Sequence, residues 1–252
     1  MVDELTTASP SGPSDLPHFG APLIVSALPA EQAGLRRHLS APTTGPTWRL
    51  DRPGDARVIR GVVTGDGAVR AREGLEAALR EVEPTIVVVI GLAGGLSPDA
   101  ASGTLFVGRR ILDATAPDFE VAAHPLPVKN ARAADVASAP AIVGRASDKA
   151  DLWRQLGSPS PALVDLESAA YARVATERGL PIAVLRVVSD AADEDLPPAI
   201  AASVDARGSV RPLRVALTSA LRPTTWPQLA ALGRRLQLGA EALARALVPL
   251  LS

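Results

Sequence analysis

The sequence lacks cysteine altogether and contains only three histidines, His18, His38 and His124. The absence of cysteine excludes disulfides and thiolate metal sites. The histidines are too scattered for a zinc cluster, and for the same reason we do not expect a histidine-based catalytic triad. We therefore expect no metal and no cofactor, with inorganic phosphate as the one co-substrate to be considered.

Long apolar runs and a strong charge of either sign are also missing. No run reaches the roughly 18 apolar residues of a membrane span. The 26 basic and 27 acidic residues give a net charge of −1, which argues against a nucleic acid partner. The first 20 residues lack the basic and apolar regions of a signal peptide and are rich in polar residues and proline. We expect a disordered tail over residues 1–20 and a cytoplasmic protein.

With 252 residues, 47% of them hydrophobic, the remainder can bury one substantial core, so we predict a single domain over residues 21–252. Charge is nevertheless distributed unevenly. From Arg207 onward there are seven arginines and a single acid, Glu241, so this segment carries +6 and the rest −7. The segment is helical in pattern from about residue 212, with prolines at 223 and 227.

Short apolar runs alternate with segments of helical periodicity along the chain. The predicted strands are Pro22–Ala27, Val58–Thr64, Thr85–Ile90, Thr104–Leu112, Ala162–Leu166 and Pro181–Val188. The predicted helices are Glu31–Leu39, Ala68–Val82, Asp148–Leu156 and Ser168–Arg178, whereas Asp113–Ala141 is weakly periodic and predicted to be irregular. This alternation predicts a three-layer α/β/α fold around a mixed, mostly parallel central sheet.

Ligands of open parallel sheets bind beyond the carboxyl ends of the strands. Three acids follow predicted strands within four residues: Glu31, in the first turn of the next helix, Glu167 and Asp190. Two glycine-rich segments do so as well, TGDG at 64–67 and GLAGGL at 91–96. We therefore expect acids and glycine loops to meet at one edge of the sheet, and this is the main functional signal.

Each element also has a plain structural explanation. Acids in the first turn of a helix interact favourably with its dipole, which by itself accounts for Glu31 and Glu167. Ser189 and Asp190 are common in turns and helix caps. The GLAGGL spacing differs from a dinucleotide fingerprint, so it can be a tight turn only. Together, however, glycine backbone and desolvated acids suit the cleavage of a glycosidic bond, in which a leaving group is protonated and a cationic sugar is stabilised.

The motif VDLESAA…LPIAVLRVVSDAAD resembles the V-[ED]-M-E-[SAT]-A…VP…R-x-[IV]-S-D-x-A-D pattern of the nucleoside phosphorylase/nucleosidase superfamily. LIVSALPAEQAGL and VVVIGLAGGL look like the first strand and the A-G-G segment of methylthioadenosine/S-adenosylhomocysteine nucleosidases. TGDGAVRA stands in the place of their G-x-G-x-x-x-A segment. The segment after Asp193, and SDKADLWRQLG before the main motif, are similar to hopanoid-associated nucleoside phosphorylases, which are thought to release adenine from adenosylhopane.

The resemblance implies a role for each matching residue. Asp190, with Ser189 beside it, stands where the superfamily protonates the leaving purine, and Glu31 where the nucleosidases activate water. Glu167 is implied to bind the ribose hydroxyls and Leu166 to pack beneath the sugar, and the backbone of Ala93 and Gly94 lines the base and sugar. Thr64 and Gly65 are candidates for a phosphate or ribose loop.

The chain departs from phosphorolytic members at the phosphate-binding positions. Val89 and Leu92 replace their arginine and serine, and Glu31 replaces an arginine of the first loop. Water and phosphate both stay open as nucleophiles. The resemblance implies cleavage of a purine–ribose bond, with adenosylhopane as the first substrate, in a homo-oligomer. A soluble methylthioadenosine, S-adenosylhomocysteine or futalosine nucleosidase is the alternative enzyme, and a non-catalytic nucleoside-binding protein is a third interpretation.

The basic C-terminal segment permits two interpretations. Leu229, Leu232, Leu236 and Leu243 fall near one helical stripe, with Arg234, Arg235 and Arg245 pointing outward. Such a helix most often covers the core. Its charge, its leucines and Trp226 also fit a helix at the surface of an anionic membrane, which would suit a lipid-embedded substrate.

Overall fold

The computed structural model describes residues 20–51, 58–197 and 226–251. The predicted N-terminal tail, apart from Gly20, lies outside the described residues. The stretch from residue 198 to 225 lies outside them as well, and it includes four of the seven arginines of the basic segment.

Nine strands and five helices occupy the described residues. The strands are β1 (Pro22–Ser26), β2 (Thr47–Asp51), β3 (Val58–Val63), β4 (Ile86–Gly95), β5 (Leu105–Asp113), β6 (Ala116–Ala122), β7 (Arg132–Ser138), β8 (Ala162–Asp165) and β9 (Ile182–Asp190). The helices are α1 (Pro29–His38), α2 (Ala68–Glu81), α3 (Ala146–Gln155), α4 (Ser168–Glu177) and α5 (Trp226–Leu251).

All nine strands form one mixed sheet in the order β2-β3-β1-β4-β8-β7-β5-β6, and β9 pairs with both β4 and β5. The pairs β1–β3, β1–β4, β4–β9, β5–β7 and β7–β8 are parallel. The pairs β2–β3, β4–β8, β5–β6 and β5–β9 are antiparallel. Because β9 pairs with both β4 and β5, the strands β4, β8, β7, β5 and β9 form a closed ring. Strand β4 belongs both to this ring and to the open part of the sheet, where it pairs with β1.

The side chains of β4 show why the fold has three layers. Val87 and Val89 pack into the core cluster that contains Leu75 of α2 and Tyr171 of α4. Val88 and Ile90 pack into the cluster that includes residues of α1 and α5. Successive residues of a strand point to opposite faces, so a continuous apolar run is buried on both sides. The predicted α/β/α architecture is confirmed.

Two local predictions are wrong, and one strand was not predicted. The segment Asp113–Ala141, predicted to be irregular, contains β6 and the central strand β7. Its sequence RAADVAS has few good strand formers, and burial between β5 and β8 outweighs that weak preference. The segment GLAGGL, predicted to be a loop, forms the second half of β4. Strand β2 was not predicted.

Helix α5 covers the core from the side of α1. Leu243, Ala244, Leu247, Leu250 and Leu251 are buried in the cluster shared with α1. The contact is close, since a Cβ on Gly34 of α1 would lie 2.9 Å from the carbonyl oxygen of Ala240. Within the described ranges, no helix combines the length and hydropathy that crossing a bilayer requires.

Candidate active site

Strand β4 brings the predicted residues together, but not as a shared strand edge. Gly94 pairs with Asp190 of β9 on one side and with Val164 of β8 on the other. Strand β8 runs antiparallel to β4, so the chain leaving β8 returns toward the middle of β4, and Glu167 enters from the direction opposite to Asp190. The expectation that the acids end parallel strands at one edge is therefore wrong for Glu167.

Glu31 lies in the first turn of α1 and is 5% exposed. Its Oε2 accepts a hydrogen bond from the backbone N–H of Leu28 (2.9 Å), and its Oε1 accepts one from Leu92 (3.0 Å). Burial raises the pKa of Glu31, partly offset by the charge of Arg186 and these backbone donors. The carboxyl group is thus fixed against β4, which a helix-dipole role alone would not require.

Glu167 immediately precedes α4 and is 7% exposed. Its Oε1 accepts a 2.7 Å hydrogen bond from the N–H of Gly67 in the TGDG loop. Gly67 has a φ of 88°, a conformation that glycine adopts without strain. Burial, followed by the charge of Asp165, raises the pKa of Glu167 to about 8.

Two charged residues that the sequence analysis did not single out complete this region. Arg186, in the middle of β9, is 2% exposed and donates to Asp165 Oδ2 (2.6 Å) and Ser168 Oγ (2.9 Å). Asp165 also accepts from Ser138 Oγ at 2.6 Å. The signal available in the sequence was a single arginine inside the apolar run of β9. Burying a charge without a partner is very costly, so an arginine at such a position implies a nearby acid.

We call Glu31, Asp165, Glu167 and Arg186 the acid cluster. Gly91 of β4 lies against two members of the cluster: a Cβ there would collide with Arg186 Nη1 and come within 2.6 Å of Glu31 Oε1. The cluster sets three carboxyl groups against one guanidinium. If all were ionised, it would carry an excess of two negative charges, which explains why burial and mutual repulsion hold protons on it.

Asp190 ends β9, about 10 Å along β4 from Gly91 at roughly 3.3 Å per residue. It is 4% exposed, and its Oδ1 accepts a 2.5 Å hydrogen bond from Ser189 Oγ. Ser189 Oγ also lies 3.2 Å from the carbonyl oxygen of Ala93. A Cβ on Gly94 would approach Asp190 Oδ2 to 3.2 Å, so the absence of a side chain keeps the face of β4 open beside the carboxyl group.

Lys149 of α3 is a third charged residue to which the sequence analysis gave no role. It is completely buried, and its Nζ lies 2.5 Å from Asp190 Oδ2. The 26 basic residues of the chain comprise 24 arginines and only two lysines, so the rarity of lysine was the signal available in the sequence. Asp190 is therefore held on both oxygens, by Ser189 and by Lys149.

The TGDG loop supports the acid cluster. Thr64 Oγ1 lies 2.5 Å from the hydroxyl of Tyr171, which is fully buried in α4, and the N–H of Gly65 donates to the carbonyl of Ala27 (3.0 Å). These contacts anchor the loop whose Gly67 holds Glu167. The geometry thus gives Thr64 and Gly65 a positioning role, and a direct role toward phosphate or ribose stays a prediction.

Leu166 lies apart from the other predicted residues. It lines a cavity of about 310 Å³ with residues of α2 and α4, including Val69 and Ala169. None of the other predicted site residues is among the described residues that line this cavity. A cavity of about 370 Å³ borders the Asp190 end instead, lined by Leu96, Trp153 and Ala192 among others.

The arrangement combines two functions that glycosidic cleavage needs. The acid cluster offers three carboxyl groups against one guanidinium, and carboxylates that ionise there stabilise a developing positive charge on a sugar. At the other end, Asp190 presents a fixed carboxyl group to a ligand lying along the backbone of Ala93 and Gly94. The described residues contain no group of three or more histidine, aspartate and glutamate residues arranged to bind a metal ion.

Comparison with known proteins agrees with this architecture. A model of the phosphorylase superfamily matches residues 134–220. The structure of S-adenosylhomocysteine nucleosidase from Streptococcus pyogenes in complex with 5-methylthiotubericidin superposes with a TM-score of 0.68 and 14% identity, covering 94% of this chain and 98% of that one. No curated protein matches by sequence.

Two Helicobacter pylori structures give the same picture. The 5′-methylthioadenosine/S-adenosylhomocysteine nucleosidase and the futalosine hydrolase each superpose with a TM-score of 0.65 and 15% identity, covering 92% of this chain and 97% of theirs. At such low identity the likeness establishes the fold. The chain therefore has the nucleoside phosphorylase/nucleosidase fold, with a match to the phosphorylase superfamily over residues 134–220.

Proposed function

We propose that this protein is an enzyme that cleaves the N-glycosidic bond between a purine and ribose. The observation that carries the proposal is the pair of opposed sites on β4: the fixed Asp190 at Gly94 and the acid cluster at Gly91. A nucleoside along this strand would place its base at Asp190 and its sugar at the carboxylates. The match to the phosphorylase superfamily and the likeness to three nucleosidase structures support the same activity.

In this mechanism Asp190 donates a proton to the purine as the glycosidic bond breaks. Glu167 holds the ribose hydroxyls, and the ionised carboxylates of the acid cluster stabilise the cationic sugar. Glu31 orients the nucleophile. We favour water over phosphate, because the single guanidinium of the cluster, Arg186, is already paired with Asp165. Within the cluster a phosphate dianion would otherwise meet only carboxyl groups.

For the substrate we propose adenosylhopane, hence a role in hopanoid biosynthesis. Its support is the sequence similarity to hopanoid-associated phosphorylases, which includes the buried Lys149. Methylthioadenosine, S-adenosylhomocysteine and futalosine are the alternative substrates, favoured by the names of the similar structures. A non-catalytic binding protein is disfavoured, because binding a neutral nucleoside does not call for three buried acids.

One experiment tests the activity and the substrate together. Purified protein is incubated with adenosine, methylthioadenosine, S-adenosylhomocysteine, futalosine and detergent-dispersed adenosylhopane, with and without phosphate, and base release is followed by chromatography. The Asp190→Asn variant should lose about 100- to 10,000-fold in rate. Asp118→Asn, which removes an exposed acid on β6, is the matched control and should retain full activity. Base release undiminished in Asp190→Asn would refute the mechanism.

We further propose that the protein is cytoplasmic and contacts the inner face of the membrane through α5. Leu238 is 66% exposed and lies between the exposed Arg234 and Arg245 on one face of the helix. Arg235, by contrast, pairs with Glu194 and faces the protein (2.9 Å). The side chains of Trp226, Leu229 and Leu232 lie outside the described residues. Leu238→Glu should abolish flotation with anionic liposomes, and a wild-type protein that never floats would overturn this proposal.

We also propose a homo-oligomer. Val69 of α2 is 55% exposed beside the cavity that Leu166 lines, so this face offers apolar surface for a second copy. Light scattering after size exclusion should give a multiple of 26.0 kDa. A monomer at micromolar concentration would contradict it.

A further inference from the structure

The lysine beside Asp190 has a complete and specific set of partners. Lys149 Nζ donates to Asp190 Oδ2 (2.5 Å), to the carbonyl of Ala191 (2.7 Å) and to the carbonyl of Glu194 (2.8 Å). An ammonium group has three N–H bonds, so each finds one acceptor. The planar fork of arginine does not match three acceptors around one point. In a chain with 24 arginines, this position therefore requires a lysine.

The two oxygens of Asp190 consequently have different chemistry. Oδ2 faces an ammonium that can only donate, so it must accept a hydrogen bond whatever the state of the carboxyl group. A proton on Asp190 then resides on Oδ1, beside Ser189 Oγ. The serine hydroxyl suits both states: it donates to an ionised Oδ1, or it donates to the carbonyl of Ala93 (3.2 Å) when Oδ1 is protonated.

We propose that Lys149 is a positioning residue for base protonation. It holds Oδ2 so that the transferable proton lies on Oδ1. When the proton passes from Oδ1 to a nitrogen of the base, the glycosidic electron pair leaves with the base and Asp190 returns to a carboxylate stabilised by Lys149. This inference rests on the proposed function.

Several charged groups lie near the pair. Asp195 accepts a hydrogen bond from the N–H of Ala146 in α3 (2.7 Å), and Asp193 lines the neighbouring cavity. Glu194, from the segment after β9, and Arg235 of α5 lie beside Asp190. They pair with each other at 2.9 Å, and Glu194 also accepts from the N–H of Ala191. Strand β4 contributes only Ala93 and Gly94 here. Lys149 is the cation paired with Asp190, so its removal should change the behaviour of that carboxyl group.

The test is the pH profile of kcat/KM for Lys149→Met. Without a cation against Oδ2, Asp190 keeps its proton to higher pH, and we expect the alkaline fall of the profile to move up by about one to three pH units. We also expect kcat at the optimum to fall by about tenfold or more, because the carboxyl group is no longer held in place. Lys129→Met, which removes the only other lysine, an exposed one, should change neither quantity.

The absence of cysteine permits a chemical rescue of the ammonium group at this one position. In Lys149→Cys the new thiol is unique, so aminoethylation of the unfolded chain followed by refolding rebuilds a lysine-like ammonium at this position alone. The aminoethylated protein should recover the wild-type pH profile, and the unmodified variant should not. A wild-type profile in Lys149→Met, or in unmodified Lys149→Cys, would overturn the proposal.

A second readout does not depend on activity. Infrared difference spectra between proteins with and without Asp190→Asn report the protonated carboxyl group of Asp190 across pH. In the Lys149→Met background this signal should persist to higher pH than in wild type, and identical titrations would refute the role of Lys149. If wild type cleaves no nucleoside, the proposed function fails while this measurement still decides whether Lys149 controls Asp190. If Lys149→Met does not fold, the same measurements are made on Lys149→Gln.

Discussion

The buried carboxyl group of Glu167 should make the protein less stable as the pH rises, and Glu167→Gln should remove most of this dependence. The pKa of Glu167 is raised from 4.5 to about 8 in the folded protein. Between these values the folded protein binds more protons than the unfolded chain. The stabilisation is complete below about pH 4.5 and is lost as the pH rises through about 8. Glu31, whose pKa is also raised by burial, contributes with the same sign.

The magnitude follows from proton linkage. One pH unit of difference corresponds to about 1.4 kcal/mol, so between pH 5.5 and 8.0 the Glu167 contribution to the free energy of unfolding is on the order of 3 kcal/mol. The glutamine variant keeps an oxygen that accepts from the N–H of Gly67, so it mimics the protonated acid without losing that contact. We expect both proteins to be similar at pH 5.5 and the variant to be more stable at pH 8.0.

Urea denaturation followed by circular dichroism at pH 5.5, 6.5, 7.5 and 8.5 measures this difference directly. Glu177→Gln is the matched control, because Glu177 lies at the other end of α4 with its side chain 54% exposed. That variant should follow the wild-type pH dependence. If wild type and Glu167→Gln showed parallel stability at all four pH values, the reasoning from burial and charge repulsion would be refuted.

Two further substitutions test the acid cluster. Arg186→Met should destabilise the protein by about 3–5 kcal/mol in urea titrations, because it leaves Asp165 buried without its cation; an unchanged midpoint would contradict the pairing. Gly91→Ala should abolish base release, since its Cβ would displace Arg186 and Glu31. Gly233→Ala in α5 is the control, because a Cβ there meets nothing within 4 Å. That variant should keep its activity and gain up to about 1 kcal/mol in the free energy of unfolding.

The layers of the fold could be predicted from the sequence because burial on both faces leaves a plain signature. The run IVVVI predicts a strand buried on both faces, and it forms the first half of β4. Strand β7 could not be predicted in this way, since its alanines carry no strand preference and its burial comes from β5 and β8. For the same reason the antiparallel direction of β8 relative to β4 could not be predicted. The direction of a strand depends on its partners and not on its own residues.

The site could be predicted where polar residues break the expected apolar pattern of the sequence. Acids at the ends of apolar runs drew attention to Glu31, Glu167 and Asp190. Their counterions were harder to find: Arg186 lies inside a strand and Lys149 on a helix remote in sequence, so only the folded chain shows which acid each neutralises. The resemblance supplied separate roles, and the structure supplied a physical difference between the two ends of the site.

The two ends of the site differ in charge, and this difference accounts for the single cation of the acid cluster. Another arginine or lysine near Gly91 would lower the cost of burying Glu31 and Glu167, but it would also cancel the negative charge that a cationic sugar requires. At the Asp190 end the charges are equal in number, since one cation, Lys149, faces one carboxylate. A protein built only for stability would neutralise both ends. We therefore expect Glu167→Gln to be more stable than wild type at pH 8 and yet to have lost base release, a combination that a purely structural role for Glu167 would not produce.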